Sequence, residues 1–139
     1  MKFHRTKLNK LVGSTYPEVY RNSQTFYKKI VSKSKRRPYI RSIYFNKEKI
    51  FLGIFWPHLF QKVGWGDRER RLKLFPCAID LMQNTKFNPE SKDNPNKKSE
   101  ILHRFYGITP DDEKFCVQVK EDKKTDEKFF VSVFPYDDK

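Results

Sequence analysis

The 139-residue chain is predicted to fold as a single α+β domain: amino-terminal helical segments and a β-hairpin, followed by an antiparallel β-meander. Three observations predict it. The length suits one hydrophobic core rather than two. Phe is the dominant core material, which argues for a folded domain despite a low mean hydropathy. The apolar spacing is helical at Val19, Phe26 and Ile30 and again from Leu72 to Met82, and alternates in the manner of strands after residue 100.

Ser14 or Thr15, followed by Pro17 and Glu18, supplies a helix start, and Val19, Phe26 and Ile30 form a helical stripe reaching about Lys33. Pro38 ends that element. "YIRSIYF" and "KIFLGIF" flank Asn46-Lys47-Glu48 and read as a β-hairpin. Pro57 suits a first helical turn, so "PHLFQKV" reads as a short helix closed by Gly64. Asp67 is placed to cap the next helix, whose buried face is Leu72, Phe75, Ile79 and Met82; Pro76 calls for a kink or a fresh start. Residues 86–100, with two prolines, read as a polar loop. The strands "ILHRFYGI", "KFCVQVKE" and "KFFVSVFP" follow, joined by turns at "TPDDE" and "DKKTDE".

Side chains of a strand alternate between two faces. On one face fall Ile101, His103 and Phe105, then Phe115, Val117 and Val119, then Phe129, Val131 and Val133, an almost wholly apolar set that predicts the core. On the other fall Leu102, Arg104 and Tyr106, then Cys116, Gln118 and Lys120, then Phe130, Ser132 and Phe134. Symmetric turns would place Arg104, Gln118 and Ser132 in one row, with Lys120 a step along and Tyr106, Phe130 and Phe134 around them.

Charge points to a polyanion. Residues 1–41 hold twelve Lys and Arg against one acid, Glu18, and so carry +11 of the chain's net +13. The block ends in Lys33, Lys35, Arg36, Arg37 and Arg41, a pattern suited to phosphate contacts by counterion release. Cations beside aromatic rings can grip phosphate and stack bases. RNA carries its own nucleophile, the 2′-hydroxyl, so its scission needs a base, an acid and donors for the charge on the phosphorane. Arg104 and Lys120 fit the charge-stabilising role, Ser132 and Gln118 the orienting one. Of three histidines, His4 lies in the basic arm, and His103 shares the core face, where a packed, hydrogen-bonded role is expected. His58, in the first turn of its helix, meets a dipole that favours a neutral ring able to act as a base.

Other classes are less well matched. Pro110-Asp111 with Gln118-Val119-Lys120 imitates the signature of a metal-dependent nuclease, but the spacing is too short for two acidic ligands on two strands, so Pro110-Asp111-Asp112 reads as a turn and no metal or cofactor is expected. Cys77 and Cys116 lack metal spacing and read as reduced core thiols. No run of about 20 apolar residues and no apolar amino-terminal stretch occurs, so the expectation is a cytoplasmic protein without a membrane partner.

The order of elements, helices, linker, then a meander bearing basic and hydroxyl residues, resembles the barnase–EndoU–colicin–RelE superfamily of small ribonucleases. Residues "ILHRFYGITPDDEKFCVQVKEDKKTDEKFFVSVFP" look like the carboxy-terminal sheet of its phage-associated branch, and the resemblance spans about residues 40–136. The chain accordingly divides into a basic amino-terminal arm and helix over 1–39, which lies outside the resemblance, and an α+β nuclease-like domain over 40–139. The resemblance implies metal-independent RNA cleavage of toxin or effector type, with His58, Arg104, Lys120 and Ser132 at the matching positions. Nucleic acid would be held by Lys35, Arg36, Arg37, Arg41, Tyr106, Gln118 and Phe130, and an acidic antitoxin or immunity protein is the implied protein partner. The chain departs from the pattern in two respects: no glutamate base is evident on the polar face, and His103 falls on the other face. The alternative is a non-catalytic RNA- or DNA-binding module using the same basic-aromatic face, and a third reading is a protein-interaction domain.

Overall fold

A computed structural model describes residues 1–137, the side chain of Trp65 excepted. It contains four helices and one curled mixed sheet of seven strands. In chain order the elements are β1 (His4–Arg5), α1 (Tyr16–Val31), β2 (Tyr39–Ser42), β3 (Glu48–Phe51), α2 (Phe55–Lys62), α3 (Trp65–Lys73), α4 (Phe75–Asn84), β4 (Glu90–Asp93), β5 (Glu100–Ile108), β6 (Lys114–Asp122) and β7 (Lys128–Pro135).

The helices start and stop where their chemistry directs. Thr15 caps α1 by accepting from the Glu18 amide, and Glu18 reaches back to the Ser14 amide, a reciprocal pair that occupies donors a free helix end would leave open. Gly64, not Asp67, occupies the cap position of α3; Asp67 sits in its first turn, where a carboxylate suits the dipole. Pro76 marks a fresh helix rather than a kink: α3 ends at Lys73, and α4 begins at Phe75 with the proline in its first turn. Every residue of α4 from Phe75 to Met82 is buried, making it the helix on which the sheet packs. Gly107 of β5 allows that packing, because a Cβ there would come within 2.5 Å of the Phe115 ring and 3.0 Å of Leu81.

The spatial order is β1-β5-β6-β7-β3-β2, with β4 also paired to β5. The β5-β6-β7 meander and the β2-β3 hairpin are antiparallel as expected, but β3 joins β7, and β1 joins β5, in parallel. Residues 90–93, expected within a polar loop, form β4 along the first half of β5. The amino-terminal segment is likewise built into the fold. The Thr6 amide donates to Ile108, the Lys7 and Leu8 amides donate to the buried Asp80 carboxylate at 2.6 and 2.9 Å, and Arg5 pairs with Asp112.

One correction reorders a face. Gln118 pairs with Ser132, yet Val119 pairs with Phe130, so Val131 is an extra residue in β7 and forms a bulge. Beyond the bulge the alternation reverses. Phe130, expected on the polar face, is fully buried and stacks on Phe55 at 4.6 Å with the rings 10° apart. Phe129, expected in the core, pairs with Lys120 on the opposite face. Phe130→Ala should therefore cost about 3–5 kcal/mol in urea unfolding, and Phe129→Ala only about 1 kcal/mol. Equal losses would contradict the bulge.

Candidate nucleic-acid interface

The face of the sheet away from α4 carries two adjacent rows of side chains that cross it from strand to strand. Glu90, Arg104, Gln118 and Ser132 are successive cross-strand partners on β4, β5, β6 and β7. One pleat along, Lys92, Leu102, Lys120, Phe129, Phe51 and Tyr39 are successive partners across six strands, from β4 to β2. Because the row rests on backbone pairing, the spacing of its side chains is fixed by the strand spacing of about 4.8 Å.

The second row is an aromatic ladder with a cation at each ring. The Phe51 and Phe129 rings lie 5.9 Å apart, and Tyr39 meets Phe51 at 6.4 Å. The Arg37 guanidinium stacks on Phe51 at 3.9 Å from the ring centre, Lys49 and Arg41 approach Tyr39 at 4.5 and 5.5 Å, and Lys120 approaches Phe129 at 5.6 Å. Beside the first row, Arg104 approaches Phe134 at 5.4 Å, as does Arg71 of α3 at 5.8 Å. Half-buried rings bordered by guanidinium and ammonium groups are the components from which sequence-tolerant single-strand surfaces are made.

Charge on this face is only partly balanced. Arg41, Lys49 and Arg104 enter no ion pair among the described residues, whereas Arg37 pairs with Glu127 at 2.6 Å and Lys120 with Glu100 at 3.4 Å. Burial opposes ionisation of Glu100, but Asn94 and Lys120 outweigh it and hold its carboxyl below the usual range. Glu90 stands in register with Arg104 and accepts a hydrogen bond from the Tyr106 hydroxyl. The polar face thus has a carboxylate in Glu90, which lies on β4 within residues expected to form a loop.

The structure places the sequence-derived residues unequally. Arg104, Gln118 and Ser132 form the expected row and Lys120 the expected neighbour, although Ser132 is only 6 % exposed. Arg37 and Arg41 join the face through Phe51 and Tyr39, while Lys35 and Arg36 are exposed in the segment before β2. Tyr106 is buried between Phe3 and Tyr136, so its hydroxyl reaches the face but its ring does not. Phe130 is in the core. His58 of α2 is not brought to either row; burial, then Arg71 and Lys62, pull its pKa down and keep the ring neutral near pH 7. Asp111 belongs to a turn, bonded to Thr109 and paired with Lys10 at 3.3 Å. Among the described residues no group of His, Cys, Asp and Glu is arranged to hold a metal ion, and no helix is long and apolar enough to cross a membrane.

Tyr39, Lys49, Phe51, Glu90, Lys92 and Phe129 were missed. A signal existed for the hairpin residues: Tyr39 and Arg41 alternate with the buried Ile40, and Lys49 and Phe51 flank the buried Ile50. For Phe129 there was none, since the bulge alone decides its face. No family model matches the chain, and comparison with curated proteins and with solved structures returns no match either.

Cys116 lies on this same side of β6 but is 2 % exposed, and burial pushes both its thiol and that of Cys77 up to about 11. At pH 8 neither supplies an appreciable thiolate, the reactive form. Iodoacetamide should modify both at least about tenfold more slowly in the native protein than in urea. Fast native alkylation of Cys116 would show that the face is open at that point.

Proposed function

We propose that this chain is a metal-independent endoribonuclease that seats single-stranded RNA on the aromatic ladder and cleaves it at the adjacent polar row. The observation that carries the reading is the pairing of Glu90 with Arg104 in one cross-strand row, beside a ladder of rings each bordered by a cation. The resemblance of residues 40–136 to small ribonucleases supports the same reading, including its toxin or effector character. An acidic protein inhibitor would suit the unbalanced cations of this face.

In the proposed reaction Glu90 takes the proton of the 2′-hydroxyl, whose oxygen attacks phosphorus as the bond to the 5′-oxygen breaks. Arg104 and Lys120 stabilise the charge gathering on the phosphorane oxygens, and Gln118 orients the phosphate. No histidine lies on either row among the described residues, so the departing 5′-oxygen takes its proton from water. The products are a 2′,3′-cyclic phosphate and a 5′-hydroxyl.

Binding and cleavage are separable by mutation. Phe51→Ala should weaken single-stranded RNA binding by about 1–3 kcal/mol, the usual worth of a base–ring stack. Arg41→Ala should reduce the salt slope of binding by about 0.7, corresponding to one phosphate contact. Unchanged affinity and slope in both variants, measured by fluorescence anisotropy from 50 to 300 mM salt (roughly the range over which phosphate contacts are resolved), would remove the ladder as the binding surface.

Glu90→Gln should lower cleavage by about 10²–10⁴-fold while leaving RNA affinity intact. Wild-type cleavage should persist in EDTA and fail on RNA with a 2′-deoxy group at the scissile nucleotide. Cutting of the deoxy substrate would overturn 2′-hydroxyl attack. One observation favours a second reading, a non-catalytic RNA- or DNA-binding module: the row holds no histidine acid and its serine is buried. RNA binding by the wild type with no cleavage would establish that reading in place of the first.

A further inference from the structure

The opposite face of the same three strands holds a different arrangement at its margin. Ser91 of β4 is the cross-strand partner of His103 on β5, and Glu121 of β6 lies diagonally beyond it. The Ser91 hydroxyl lies 2.7 Å from His103 Nδ1, and His103 Nε2 lies 2.8 Å from the Glu121 carboxylate. Ser91 is exposed, the His103 side chain is 9 % exposed and that of Glu121 17 %. Phe45 closes on the imidazole at 5.2 Å and excludes water from one side.

The order of the three groups fixes the ring's chemistry. A carboxylate only accepts hydrogen bonds, so the neutral ring directs its N–H from Nε2 to Glu121 and its lone pair from Nδ1 to Ser91. The serine hydroxyl then donates to a base that is itself oriented by a carboxylate, the relation that turns a hydroxyl into a nucleophile. Ser91 and His103 also border a cleft of about 240 Å³, whose other lining residues, Glu90, Lys92, Leu102, Arg104 and Gln118, belong to the two rows of the opposite face.

We propose that Ser91 is a reactive serine, activated by His103 and Glu121, that takes the acyl group of carboxylic esters. This does not depend on the RNA reading. His103 removes the Ser91 proton as Oγ bonds to the ester carbonyl carbon. The carbon–alkoxy bond then breaks, and the leaving alcohol receives that proton from His103. Water, deprotonated by the same imidazole, releases the acid and restores the hydroxyl.

The test uses the full chain and a fluorophosphonate, which bonds to activated serines, with the modified residue found by peptide mass spectrometry. A single adduct at Ser91 is expected, absent in Ser91→Ala and formed at least tenfold more slowly in His103→Gln and Glu121→Gln. Absence of an adduct at Ser91, or equal rates in His103→Gln, would overturn the proposal. A second measurement leaves the histidine untouched, in case its loss unfolds the protein. In Ser91→Cys the introduced thiol should react with iodoacetamide at pH 7 at least tenfold faster than that of Ser14→Cys, an exposed site without such a partner. Equal rates for the two thiols would overturn activation by His103, and Ser91→Ala should bind RNA as the wild type does whichever result is obtained.

Discussion

Val131 is an extra residue in β7 with no counterpart on β6, and the arrangement of both sheet faces follows from it. A strand with unbroken alternation that placed Ser132 beside Gln118 would turn Phe130 outward and Phe129 inward. With the bulge, Phe130 fills the space against Phe55 and Phe75, while Phe129 bridges Lys120 and Phe51. The same shift turns Lys128 inward, where it is 4 % exposed. Its ammonium is held by Glu48 at 2.7 Å and the Asp126 carbonyl at 2.8 Å, so the buried charge is paired. A single bulge therefore joins the meander to the hairpin without breaking the aromatic ladder between them.

What could be read from the sequence was whatever strict period 2 governs. The row Arg104, Gln118 and Ser132 was legible because β5 and β6 pair without interruption from Glu100 to Ile108 and the register reaches Ser132 before the bulge. Beyond it, parity inferred from sequence was reversed, and nothing local announced this: "FFVSV" contains neither Gly nor Pro to mark an irregularity. β4 escaped notice for another reason. "ESKD" has no apolar residue, since one side of this edge strand faces solvent and the other offers Ser91 to His103. Its pairing comes from backbone groups, which no hydropathy pattern records. The parallel pairings of β1 and β3 are non-local in the same way and carry no turn signal.

The strong basicity of residues 1–41 also divides once the fold is known. Arg5 and Lys10 are tied to the acidic turn 111–113, so that part of the block fastens the amino-terminal segment beside β5. Exposed pairs of this kind contribute little each. The two backbone donations to the Asp80 carboxylate, 4 % exposed, are worth more, because their loss would strand a buried charge. Arg37 and Arg41, at the other end of the block, are placed over rings, Arg37 while also paired with Glu127. A uniform charge run in the sequence thus serves structure at one end and surface potential at the other, and only the pairing of the strands separates the two.

Adjacent residues on three neighbouring strands send their side chains to opposite faces: Glu90 and Ser91 on β4, His103 and Arg104 on β5, Lys120 and Glu121 on β6. One face receives the carboxylate and the cations, the other the serine, the imidazole and a second carboxylate. A slip of one residue in β5 would exchange Arg104 for His103 and dismantle both arrangements together. The register of β5 is held against such a slip by its apolar positions. Phe105 is buried under Tyr44 and Phe45, and Gly107 lies where only a hydrogen leaves room for the Phe115 ring. Core packing at the carboxy-terminal half of one strand therefore sets the position of every polar group at its amino-terminal half.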